Sequence, residues 1–316
     1  MEFSGINALL PREMLQTTLS LLSPRDLKSA VLVCKLWAEV GQVPALWSWV
    51  NFVVDQTNME SMPERMRLSR LQNVSKIEIS AKNVSEDLMV AIAMHPRLRE
   101  VETYPWFPKF VSVTPELFGQ AFSNMQSLQL PGTGLSVEQL STLCAFLATG
   151  EKKQFLDLSD NRVWDIQPSL LATAFIRFRC VRLNRTSLYS RGCKRKFVPH
   201  GVAIFDALGE ASCCTRALNI GGVALSGVDS DVMAKEVSKM GIVYLKNVEL
   251  TPQQATSVFN AAGRDDSQIS ILHLGGNQLS SIESAVMIRA LKFLTGLRLQ
   301  QCVMRPKFAK DYLDDF

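Results

Sequence analysis

The chain has 316 residues, 47% hydrophobic and 20% charged, with 34 Lys+Arg against 30 Asp+Glu and a formal net charge of +4. This excludes a disordered chain, which lacks the apolar surface to offset ordering entropy, and a charge-dominated coiled coil. The length allows one to three domains of roughly 150 residues, with a core that needs no disulfide or metal staples, and so mild a basic excess gives no support to a nucleic-acid partner. The seven cysteines are an odd number and form no CxxC, which points to a reducing compartment. The start, MEFSGINALLPRE, has no basic segment followed by an apolar stretch, so no secretory signal is expected. No uncharged apolar run approaches the ~20 residues that span a bilayer. A cytoplasmic or nuclear chain with no membrane partner is therefore expected.

Residues 4–52 read as three short helices in quick succession. Pro11 suits a helix start, and Met14, Leu15, Thr18, Leu19 and Leu22 recur with helical spacing. Ser23 is a good N-cap, with Pro24 at the first helical position and Asp26 near the positive end of the helix dipole. Leu27, Ala30 and Val31 continue a second stripe; Val33, Cys34, Trp37 and Val40 make a third, which Gly41 and Pro44 end. Leu9, Leu10, Leu21, Leu32 and Leu36 fall off these stripes. Three short helices cannot hide so much apolar surface among themselves. It either packs on the rest of the chain or marks a site that a partner covers. Cys34 has no nearby histidine and reads as a small buried hydrophobe. Trp37, Trp47 and Trp49 read as anchors between this unit and the remainder of the chain.

The order Leu10-Pro11-x-Glu13, an apolar helix through Leu15, Leu19 and Leu22, Pro24-Arg-Asp26-Leu27, Val33-Cys34-x-x-Trp37 and Leu46-Trp47 resembles an F-box. The resemblance covers about one-seventh of the chain. It implies docking on the Skp adaptor of a Skp–cullin–F-box ubiquitin ligase, with Leu10, Pro11, Met14, Leu15, Leu19, Leu22, Leu27, Val31, Val33, Cys34 and Trp37 as adaptor-binding residues.

Residues 53–72 read as a linker, 73–303 as a repeat domain and 304–316 as a tail. Strand-like segments recur at KIEIS (76–80), LREVET (98–103, weaker), SLQLP (127–131), FLDLS (155–159), CVRLN (180–184), ALNIG (217–221), VYLKN (243–247), ILHLG (271–275) and GLRLQ (296–300). From Ile77 to Leu297 the eight steps average about 27.5 residues, inside the roughly 20–29 of leucine-rich repeats. Helical stretches lie between them. Ser136–Gln139, Thr251–Gln254 and Ser280–Glu283 read as capping boxes, Thr114-Pro115 as a similar opening and Asp229 as an N-cap. FLDLSDN and ILHLGGN end in Asn at a turn.

This part resembles leucine-rich repeats of the ribonuclease-inhibitor type. The expected fold is α/β: a right-handed leucine-rich-repeat solenoid, with a parallel β inner face and helices outside, preceded by the three-helix F-box. A crossover of a dozen or more residues returns each strand parallel to the last, and stacked units bury faces that one unit cannot. Strand alternation points the LxL leucines inward. Glu78, Gln129, Asp157, Arg182, Asn219, Tyr244, His273 and Arg298 then line one concave face, a candidate for binding a protein target. Their polar character of both signs suits a specific protein better than a polyanion. In TYPWFPKF (103–110), Tyr104, Trp106 and Phe107 are either binding anchors or caps on the core.

Other motifs fail. Gly132-x-Gly134 lacks the third glycine of a dinucleotide fingerprint, Val137 standing there instead, and reads as a repeat turn. His95, His200 and His273 show no metal-ligand spacing, and Asp229-Ser-Asp231 lacks the rest of a calcium loop. The basic run Arg191–Lys196 reads as a solvated loop. No cofactor, metal or catalytic residue is nominated. Two readings stand: a non-enzymatic substrate receptor of the ligase, bound to an unknown target protein, or a repeat scaffold whose F-box-like helices only cap the solenoid.

Overall fold

The computed structural model describes residues 11–48, 50–104, 109–184 and 198–302. Trp49, the basic run 191–196 and the tail 304–316 lie outside the described residues. The N-terminal module comprises α1 (Arg12–Ser20), α2 (Pro24–Ala30), α3 (Lys35–Val40) and a 3-10 turn, Pro44–Trp47. Leu15 and Leu19, one turn apart on α1, are buried with Leu27, Ala30, Val40, Leu46 and Trp47. Ser23 caps α2 by accepting the Asp26 N–H at 3.2 Å while its hydroxyl donates to the Asp26 carboxylate at 2.6 Å. The Trp47 indole N–H donates to the Gly41 carbonyl at 2.8 Å, and the Arg70 guanidinium lies 5.5 Å from its ring centre. These buried residues belong to the same continuous core as Phe52, Val54 and Leu71.

The rest is a parallel sheet of ten strands in chain order, with helices in the crossovers. The strands are β1 (Phe52–Val54), β2 (Lys76–Ile79), β3 (Glu100–Thr103), β4 (Ser127–Gln129) and β5 (Lys153–Asp157), then β6 (Phe178–Arg182), β7 (Ala217–Asn219), β8 (Ile242–Tyr244), β9 (Ile271–His273) and β10 (Gly296–Arg298). The helices of eight residues or more are α5 (Glu86–Met94), α6 (Pro115–Ser123), α7 (Val137–Ala148), α8 (Pro168–Phe175), α9 (Val198–Leu208), α10 (Ser230–Val237), α11 (Pro252–Ala262) and α12 (Ser284–Leu291); the short α4 (Met62–Met66) precedes them. Two expectations change. The stretch 53–72 is no linker, because β1 pairs with β2 and Met62, Met66 and Leu71 are buried. Ser280 caps no helix: Leu279 and Ile282 are held in the core, so α12 starts only after Glu283.

One turn recurs after the strands. The residue two places beyond the second core position of the strand segment has positive φ in six of them: Gly132, Asp160, Gly222, Asn247, Gly276 and Gln301. Gly, Asn and Asp enter this left-handed region most easily, which explains five of the six residues; Gln301 is the exception. The tempting Gly132 is therefore this turn glycine.

Side-chain amides stitch neighbouring units where strands this short cannot. Asn161, 6% exposed, donates to the carbonyls of Leu130 (2.6 Å) and Leu158 (3.2 Å) and accepts from the Leu135 N–H (3.4 Å). Asn277 repeats this with the Leu245 and Leu274 carbonyls (both 2.7 Å) and the Val248 N–H (3.1 Å). Gln139 and Gln254, each third in its helix, close the capping boxes with Ser136 and Thr251. Each also reaches back to the preceding unit: Gln139 donates to Phe110 and Val113 carbonyls at 2.8 and 2.9 Å, Gln254 to Leu225 and Val228 carbonyls at 2.7 and 2.6 Å. His200, third in α9, makes the corresponding bond from Nε2 to the Ile166 carbonyl at 2.9 Å. The staple thus falls on every second helix: α7, α9 and α11.

Replacing Asn277 by Ala removes the donor to the buried Leu245 carbonyl and the acceptor of the Val248 and Leu250 N–H groups. It should cost about 2–4 kcal/mol, read as a lower midpoint in chemical denaturation. Burial holds the pKa values of His200, His95 and His273 below the ordinary value of 6.5. Below about pH 6.5 the unfolded chain therefore binds protons that the folded chain refuses, and stability falls with acidification. A His200→Gln protein should match the parent at pH 7.5 and lose less stability than the parent between pH 6.5 and 5. An identical slope in both would refute His200 as an acid-sensitive staple.

Candidate binding surfaces

Two surfaces emerge, one on the N-terminal module and one on the sheet. On the module, Leu15, Leu19 and Leu27 are 1%, 0% and 0% exposed, so they form its interior and cannot meet a partner without unfolding it. Leu22, Val31, Cys34 and Trp37 are half-buried, and Pro11 is exposed; Leu10 lies outside the described residues. The accessible apolar side chains are Met14 (56% exposed), Leu21 (83%), Leu32 (85%) and Val33 (64%). Met14 and Leu21 are seven residues apart, on one flank of α1 and its C-cap, while Leu32 and Val33 occupy the turn between α2 and α3. Leu21 and Leu32, two of the off-stripe leucines, are thus left uncovered by the rest of the chain, whereas Leu36 packs partly on the core.

On the sheet, the strands pair in one register, so the middle outward residues form a single row. It runs Val53, Glu78, Glu102, Gln129, Asp157, Arg182, Asn219, Tyr244, His273, Arg298. The eight residues nominated from the sequence all stand in it. Sequence reasoning misses Val53 and Glu102, the first because β1 reads as linker and the second because its segment lacks a leucine pair. Asp157 and His273 offer little surface, each only 9% exposed. The Asp157 carboxylate turns back to accept the Ser159 N–H at 2.9 Å, and the His273 ring meets Tyr244 edge-on at 5.5 Å.

A second outward row lies two residues earlier. Its β2 and β3 members are Lys76 and Glu100; from β5 to β9 it is apolar, Phe155, Cys180, Ala217, Ile242 and Ile271, all half-buried and in register. The Lys76 ammonium lies 2.6 Å from Glu102 and 3.2 Å from Glu78, and the Glu102 bond, foremost, raises its pKa. Asn51 donates to Glu78 at 2.8 Å. At the centre of the sheet, the Arg182 guanidinium stacks 5.0 Å over the Phe155 ring.

Tyr104, just past β3, is 53% exposed; Trp106 and Phe107 lie outside the described residues. Phe110 belongs to the core, edge-on to Phe118 at 5.1 Å and Phe122 at 6.0 Å. Burial pushes the Cys144 thiol up to about 12, which suits a core residue rather than a nucleophile. A cleft at the strand N-terminal edge is lined by Arg99, Ser123, Gln126, Glu151 and Lys153. The Lys153 ammonium there is committed to the Ser123 and Met125 carbonyls at 2.7 and 2.9 Å, closing the end of α6. Among the described residues, no group of three His, Cys, Asp or Glu side chains could hold a metal ion, and no helix is long and apolar enough to cross a membrane.

Residues 8–53 match the F-box-like family model. No curated protein matches the chain. Among solved structures it is similar to one titled "Crystal structure of Rad7 and Elc1 complex in yeast", at 12% identity and a TM-score of 0.47, over 91% of this chain and 81% of that one.

Proposed function

We propose that the chain is a non-catalytic substrate receptor. Its F-box-like module docks on the Skp-type adaptor of a Skp–cullin–F-box ubiquitin ligase. Its repeats, a right-handed leucine-rich-repeat solenoid of the ribonuclease-inhibitor type, hold a target protein on the open sheet face inside the cell. Right-handedness follows from the rule that nearly all strand–crossover–parallel strand units take that hand. The F-box-like match supports the adaptor reading. The observation that carries it is the exposure of Leu21, Leu32 and Val33 in a module whose interior is already filled, by its own leucines and by the core it shares with the first strands. Exposed aliphatic groups gain roughly 25 cal/mol for each Å² that a partner covers.

The mechanism needs no acid, base or nucleophile from this chain. A tethered target meets the ubiquitin-charged enzyme at high effective concentration. The alternative, that the module only caps the solenoid, has support in the core shared by Trp47, Phe52 and Leu71. Capping and docking use different residues, however. A cap needs Leu46 and Trp47 and has no use for Leu32 or Val33. Deleting residues 1–50 strips both roles at once, whereas surface substitutions separate them.

The test is co-purification of full-length chain with recombinant Skp adaptor. Leu32→Asp with Val33→Asp should abolish retention while leaving the melting temperature within a degree or two, since exposed substitutions usually change stability by less than about 0.5 kcal/mol. Leu19→Ala, by contrast, should cost about 2–5 kcal/mol by opening the module's core. Failure of the unmodified chain to retain adaptor, or full retention by the double variant, would overturn the docking reading.

A further inference from the structure

The open sheet face divides by charge along its length, and the division falls between β5 and β6. The positions that point outward on each strand, and just beyond it, present four carboxylates and one lysine over β1–β5: Asp55, Glu78, Glu100 and Glu102 with Lys76; Asp157 and Lys153, in the same alternation on β5, are buried and bonded to backbone groups. Over β6–β10 the same positions carry three cations and no carboxylate: Arg182, Lys246 and Arg298, all exposed. Beside the cations runs the apolar row from Phe155 to Ile271, which crosses the boundary at Phe155 and Cys180. Charges in a single register are fixed relative to one another, so the face presents a dipole and not a scatter of ions.

We infer that this face binds an extended polypeptide segment of bipolar charge, laid across the strands. Its basic end would lie over β2–β3, its acidic end over β6–β10, and its apolar side chains against Ile242 and Ile271. The inference rests on the reading that the open face holds the target, and deepens it by naming the target's chemistry. Ten strands at ~4.8 Å span about 43 Å, which an extended segment covers with about 13 residues. A nucleic acid fits poorly, because its uniform negative charge would meet the acidic half. An apolar row flanked by split charge suits a peptide, for which complementary potentials set orientation and reject wrong partners.

The experiment measures binding of fluorescent 13-residue peptides to the full-length chain by anisotropy. One peptide has a lysine block, a Leu/Val centre and a glutamate block; a second has the same composition with charges alternating. A single-stranded oligonucleotide of similar length is a third probe. The block peptide should bind about tenfold tighter than the alternating one at low salt, with the gap closing at high salt. Arg182→Glu with Arg298→Glu should transfer the preference to an all-lysine peptide while leaving adaptor retention unchanged. Equal affinity for the two mixed peptides, tightest binding of the oligonucleotide, or no binding of any probe would overturn the bipolar assignment. If the two mixed peptides bind equally but both are lost on Tyr244→Ala, the face is a binding site without charge selection. The assignment would then fail while the target-holding reading survives.

Discussion

Strands of three to five residues pair only a small part of each unit's backbone, so the structure depends on how the remaining buried N–H and C=O groups find partners. The interior answers with side-chain amides. Asn161 and Asn277 bridge the turns of successive units, and Gln139 and Gln254 bridge the helix starts, each satisfying three or more backbone groups that water cannot reach. A leucine in any of these places would pack as well and leave several polar groups stranded. An amide is neutral, carries donor and acceptor together, and so joins two units at no cost in charge burial. His200 does part of the same work with a titratable ring, and acquires a pH dependence that the amides lack.

The staples also fix the sheet's register, and register is what turns scattered surface residues into a surface. Backbone pairing keeps one register from β1 to β10, and Glu78, Glu102, Arg182 and Arg298 fall in line although they are far apart in sequence. A slip of one residue would send the leucines of the LxL pairs outward and these charges into the core. The core and the open face are therefore two consequences of one constraint: leucine alternation sets the inside, and whatever occupies the intervening positions becomes a patterned outside. These positions take no part in the leucine core, so their side chains are not dictated by its packing.

The repeat is readable in the sequence because leucine alternation, helix caps and turn residues all recur at one period. Asp229, Thr114, Ser136 and Thr251 cap helices where local sequence places them, because a cap is decided by its own three or four neighbours. Ser280 satisfies the same local rule but loses to a tertiary demand, the burial of Ile282. β1 escapes notice because Phe52-Val-Val54 has no leucine pair and gains its strand character from pairing with β2. In the N-terminal module the periodic leucines are legible as a stripe, but not which side of the stripe faces a partner. Leu15 and Leu19 inside, and Leu21 and Leu32 outside, are chemically the same residue. Spacing sets Leu21, Leu32 and Leu36 off the stripe, but only packing shows that Leu36 meets the core while the other two stay exposed.

That ambiguity has a physical origin in the size of the module. About 45 residues lie near the lower limit of independent stability, and this unit shares its interior, through Leu46 and Trp47, with the first strands of the sheet. Having borrowed that support, it can leave Leu32 and Val33 in water without losing its fold. A free-standing three-helix unit would be pressed to turn such side chains inward. Attachment to the sheet is thus compatible with an exposed apolar surface on the module. The same attachment fixes the module on a sheet whose strands share one register. A partner held at Leu32 and Val33 would then stand at a set position relative to whatever lies across the sheet, and proximity between the two is the whole of the chemistry such a chain would have to provide.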